Sequence, residues 1–178
     1  MEVKKINIGE PVKNNKQIKS KPKKKRVITQ NNNWIDACSE LETYQESNMK
    51  TLFQNDRLSP LSKLLLKQIK SKICGYAAQD RDKKLFHEEL FVNLQDVLQL
   101  FKTSEMICYY CKEKTQLMYE YVREPKQWTL ERMNNSFGHN RDNVVIACLS
   151  CNIRRRTMAS EKYVLTKELG KIVKLDHD

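Results

Sequence analysis

The sequence predicts an α+β chain, with a helical N-terminal part followed by a small domain of short strands and a helix. Three observations point there. Apolar residues recur at helical spacing in 59–75 and again in 92–104. Short runs rich in β-branched and aromatic residues follow at 116–121 and 143–148. Two Cys-x-x-Cys pairs, Cys108/Cys111 and Cys148/Cys151, bracket this second part.

Residues 1–33 are rich in Lys and Asn and poor in apolar side chains. They hold ten basic and two acidic side chains, so most of the formal net charge of +11 lies there. Such a segment buries too little surface to offset chain entropy, and a disordered basic tail is expected. Within it, "KPKKKRV" at 21–27 contains Lys23, Lys24, Lys25 and Arg26. The acidic groove of a nuclear import receptor can hold such a run. A DNA-binding arm has the same composition, and both readings stand.

Residues 34–105 read as a helical region. Trp34, Cys38 and Leu41 fall at helical spacing. In "SPLSKLLLKQIKSKICG", Ser59 suits an N-cap and Pro60 the first helical position. Leu61, Leu64, Leu65, Ile69 and Ile73 form a stripe, and Gly75 can close the helix. In "VNLQDVLQLFKTS", Leu94, Val97, Leu98 and Phe101 share one face. Residues 106–160 carry the cysteines and strands. Residues 161–178 supply a C-terminal helix, N-capped by Ser160 and interrupted at Gly170, and then a tail.

A pI of about 9.4 favours a polyanionic partner, and nucleic acid is the usual one. No apolar run approaches the length of a membrane span. The N-terminus lacks the apolar stretch of a secretory signal, so the chain is expected not to be secreted. In an unexported protein, paired cysteines read as metal ligands rather than disulfides. Thiolates three positions apart can face one ion from a knuckle turn. Two such pairs complete a four-thiolate structural zinc site. The pairs are separated by residues 112–147, a longer gap than the roughly 15–20 residues of a plain zinc ribbon, so a folded insert is expected between them.

That insert contains "TLERMNNSFGHNRDN", followed by "VVIACLSCNIRRR". The run from 97 to about 163 resembles HNH nucleases of the ββα-metal, treble-clef type. The likeness is closest to zinc-bearing versions in phages and large DNA viruses, and the phage recombination endonuclease seven has a related arrangement. The motifs that carry it are the two cysteine pairs, "GHNRDNVV" and Cys151-Asn152, in that order. The resemblance implies a treble-clef zinc domain and Mg²⁺- or Mn²⁺-dependent hydrolysis of DNA. It also implies that Glu131 and Asn152 hold the catalytic ion, that Asn143 orients the base, and that Arg154, Arg155 and Arg156 bind phosphate. The family's general-base histidine is replaced by Arg132. Arginine stays protonated and cannot act as a base, although an Asp-Arg form is common in the branch this chain resembles.

His139 is the one histidine of the insert, so it is either a replacement base or a turn residue bonded to the backbone. Glu131 is either a metal ligand or a surface carboxylate paired with Arg132. Arg132, Arg141, the three consecutive arginines and the tail cations are candidate DNA contacts. His87 and His177 read as bland side chains. Cys38 and Cys74 read as core thiols, and Tyr119 and Trp128 as packing residues. Two functions follow as expectations. One is a metal-dependent DNA endonuclease of the nucleus, a virion or a viral factory. The other is a catalytically inactive DNA-binding protein of the same fold, serving a virion or chromatin.

Overall fold

The structure is a computed structural model that describes residues 22–30 and 60–169. The expected helix after Trp34, the Ser59 cap, Cys38, Gly170 and His177 lie outside the described residues. Within them the chain is α+β. Helix α1 spans Pro60–Asp82 and α2 spans Leu94–Ser104. Strand β1, Trp128–Arg132, pairs antiparallel with β2, Val144–Cys148. Helix α3, Leu149–Arg155, follows β2 directly, and α4 spans Ser160–Leu169.

Helix α1 runs through Gly75, where the sequence allows a stop. A Cβ there would meet only open space. The penalty of a mid-helix glycine, about 1 kcal/mol, is outweighed by what the extension buries: Ala77 and Asp80 are both covered. Cys74 is exposed rather than in the core. Helix α2 starts at a capping box. The Asn93 side chain accepts from the Gln95 and Asp96 amides, and the Asp96 carboxylate accepts from the Asn93 amide.

The register pairs Trp128 with Cys148, Leu130 with Ile146 and Glu131 with Val145. Strand alternation then gives the hairpin two faces. Trp128, Leu130, Val144 and Ile146 join Leu65 and Ile69 of α1 and Val97, Leu98 and Phe101 of α2 in the main core. The Trp128 and Phe101 rings meet edge to face at 4.8 Å. The opposite face carries Thr129 and Glu131 towards α3. A smaller cluster there gathers Cys108, Tyr110, Ala147, Cys148, Cys151 and Tyr163.

Two further expectations change. Residues 116–121 form no strand; Gln116 and Tyr121 make isolated bridges to Gln127 and Lys25. Residues 22–30, part of the expected disordered tail, lie along this stretch. The Arg26 amide donates to Glu120 O at 2.8 Å, and the Val122 amide donates to Lys24 O at 2.9 Å. A 3-10 turn at Val27–Gln30 follows, with Ile28 against the core.

Candidate metal centre and the loop beside it

The sulfurs of Cys108, Cys111, Cys148 and Cys151 all lie within 4.8 Å of one another, and Cys111 and Cys148 approach to 3.9 Å. Two local turns aim them. In the first, the Lys112 amide donates to Cys108 O, and Lys112 takes the left-handed φ of 60° that turns the chain back. The Tyr109 amide donates to Ile146 O at 2.8 Å, docking this turn on β2. In the second, Cys148 ends β2 and caps α3, its sulfur accepting from the Cys151 amide. Hydrogen bonds from Cys148 and Cys151 pull the Cys108 thiol strongly down. The bond to Cys108 pushes Cys148 up to about 11 and raises Cys151 as well. Four thiolates this close repel one another, and a cation among them removes that conflict. The arrangement can hold a metal ion on four sulfur donors.

Glu131 and Arg155 form an ion pair with side chains 7% and 1% exposed. Arg155 also donates to Met133 O at 2.8 Å and to Asn135 Oδ1 at 3.4 Å. Burial pushes the Glu131 carboxyl up, and Arg155 pulls it back. Asn152 donates to Thr129 Oγ1 at 3.2 Å. The structure therefore brings Glu131 and Asn152 to one face of the hairpin, under α3. It sets the carboxylate on Arg155 instead of Arg132. Arg155, expected to meet phosphate, is buried.

His139 is held by α1. Its amide donates to Asp80 Oδ2 at 2.6 Å, its Nδ1 lies 2.8 Å from Asp80 Oδ1, and its ring packs on Tyr76 at 4.5 Å. Burial lowers its pKa, and Asp80 opposes that. The pair ties the loop to α1. Tyr76, also on α1, accepts from the Leu130 amide of β1. His139 thus stands with α1, bonded to Asp80 and packed on Tyr76. Asn143 clamps the loop between the strands: its Oδ1 accepts from the Asn134 amide, and its Nδ2 donates to Asn134 O and Gly138 O. Arg132 Nη1 donates to Asn135 O and Phe137 O. Arg141 is exposed and donates to Glu89 O. Arg154, Arg156, Lys23, Lys24 and Lys25 are exposed.

The sequence reading missed Asp80. It is one acidic residue among several in 80–89, and nothing in its spacing marks it as a partner of His139. It also missed a half-buried cation, Lys72. Its Nζ donates to Trp128 O at 2.5 Å and sits over the Trp128 ring at 4.2 Å. Burial, then the nearby Arg26 charge, lowers it to about 7. The Arg26 guanidinium lies over the Tyr119 ring at 4.0 Å and donates to Gln68 Oε1 and Tyr119 O. Tyr119 thus packs against a cation, while His87 is exposed. No helix among the described residues is long and apolar enough to cross a membrane. Comparison with family models, with curated proteins and with solved structures gives no match.

Proposed function

We propose that this chain is a zinc-stapled DNA-binding module. Its hairpin and α3 correspond to the treble-clef ββα unit of the HNH nucleases it resembles, with the catalytic ion replaced by an arginine. The observation that carries this reading is the buried Glu131–Arg155 pair. A catalytic Mg²⁺ needs a carboxylate oxygen with room for water and substrate around the ion. Here a permanent cation is paired with the Glu131 carboxylate. The candidate base His139 is held through Nδ1 by Asp80 of α1, and Asn152 is held by Thr129.

Zinc suits the four-sulfur set. Zinc–sulfur bonds of about 2.3 Å in a tetrahedron place sulfurs roughly 3.8 Å apart, and Cys111 and Cys148 stand at 3.9 Å. Exposed Arg154 and Arg156 at the end of α3, with Arg141 and Lys23 to Lys25, supply phosphate contacts. The basic run at 21–27 suits a nuclear setting, and the likeness to viral proteins suits a virion or viral factory.

The endonuclease is the second reading. What favours it is that Glu131 and Asn152 share one face under α3. The full chain should be tested on linear and branched DNA, with Mg²⁺ or Mn²⁺. We expect binding that weakens steeply with salt, zinc in the purified protein, and no cleavage. Metal-dependent cleavage that Glu131→Gln abolishes, with zinc retained, would restore the endonuclease. Absence of any DNA binding would remove both readings.

A further inference from the structure

A lone exposed apolar side chain is ordinary on a protein surface. Phe137 is set apart by how it is held. Its ring is 56% exposed, and the loop that carries it cannot fold back to hide it. Arg132 Nη1 donates to Phe137 O at 3.1 Å and to Asn135 O at 3.3 Å. Asn143 holds both backbone groups of Asn134. The Ser136 amide donates to Asn134 Oδ1. Gly138 is pressed so tightly that an added Cβ would lie 2.5 Å from Leu85 O. A mobile loop would bury its phenylalanine by hydrophobic collapse; this one presents it in a fixed direction.

The surroundings of the loop are basic. The loop abuts the end of α3, where Asn135 Nδ2 donates to Arg156 O. Of the four arginines in 133–143 and 149–156, Arg155 is neutralised by Glu131, which leaves Arg141, Arg154 and Arg156 against a single carboxylate, Asp142. An apolar protein partner would bring no charge to balance this. A nucleobase brings a π-face for the ring and a phosphate for each neighbouring cation.

We propose that Phe137 is a base-stacking residue, which takes an unpaired nucleobase on its ring while exposed Arg154 and Arg156 hold the adjoining phosphates. This rests on the DNA-binding reading and adds to it a preference for single-stranded or unstacked DNA. The rigid loop matters because the ring loses little freedom when a base arrives.

The test compares full-length wild type, Phe137→Ala and Phe137→Trp. The probes are a labelled oligothymidylate and an abasic strand of equal length. Zinc content and thermal midpoint serve as folding checks. Phe137→Ala should lose roughly tenfold in affinity for oligothymidylate, the scale of one stacked base. It should bind the abasic strand as wild type does, and Phe137→Trp should keep wild-type affinity for both. Equal losses on both strands, or no loss on either, would overturn the stacking role while leaving DNA binding in place. If wild type binds duplex DNA but neither single strand, the stacking role alone fails; if it binds neither duplex nor single strand, the DNA-binding reading fails and the stacking role fails with it.

Discussion

Glu131 and Arg155 leave water together, and neither can afford to do so alone. A buried charge that loses its partner destabilises by about 3–5 kcal/mol. Glu131→Leu strands the guanidinium and should lower stability by that amount in urea denaturation. Arg155→Met should be milder, because a lone carboxyl can take up a proton. The double variant should recover much of the loss, since replacing both charges with apolar groups is often near neutral. An unchanged urea midpoint in Glu131→Leu would show an open carboxylate, free to hold a divalent ion. The sequence allowed Glu131 to pair with Arg132, its neighbour. Strand alternation sends the two to opposite faces, and the true partner lies 24 residues on, in α3. His139 is similar: its environment is set by Asp80, 59 residues earlier. Residue types were legible at both sites, but their partners were not, because partners are made by the fold.

At the scale of elements, 22–30 against α1 is where composition misled. Lys and Asn richness predicts a free chain, and the stretch is held by a few specific contacts instead: two backbone bonds, the Arg26 guanidinium on Tyr119, and Ile28 in the core. Those contacts surround Lys72, which gives the contact a pH signature. Lys72 falls from an ordinary 10.5 to about 7 in the folded protein. Between these values the unfolded chain binds the extra proton, so stability should rise with pH from about 7 towards 10.5. Below 7 both states carry the charge and the penalty is constant. Lys72→Met removes the titration. Its stability relative to wild type should be greatest at and below pH 7 and shrink as pH rises. A difference that stays constant across that range would mean Lys72 keeps its charge in the folded protein. The other elements show why some boundaries were readable. The stripes of α1 and α2 and the β-branched run of β2 match the structure, because each buries one face at its own period. The Asn93–Asp96 box was missed, since Asn-x-x-Asp departs from the usual Ser/Thr-x-x-Glu signal.

For the molecule as a whole, a metal on the four cysteines would decide whether the second half has a structure of its own. A two-stranded sheet is marginal in isolation, and a helix as short as the seven residues of α3 does not persist in water. The hairpin gains one face from α1 and α2 through Trp128, Leu130, Val144 and Ile146. Its other face has only the small cysteine cluster with Tyr110, Ala147 and Tyr163. Removing the metal should therefore divide the molecule along the hairpin. A chelator should extract one ion per chain and speed hydrogen exchange at the α3 amides and in the 133–139 loop, which Arg155 and Arg156 brace. The α1 and α2 amides should stay protected, because their core lies across the sheet. The spacing of the cysteines made this site legible from the sequence, since four thiolates in two pairs serve one ion whatever lies between them. If α3 stays protected after the ion is gone, the thiols pack as an ordinary small core and the staple is not metallic. If α1 and α2 open together with α3, the metal supports one cooperative unit, and the hairpin is its shared spine.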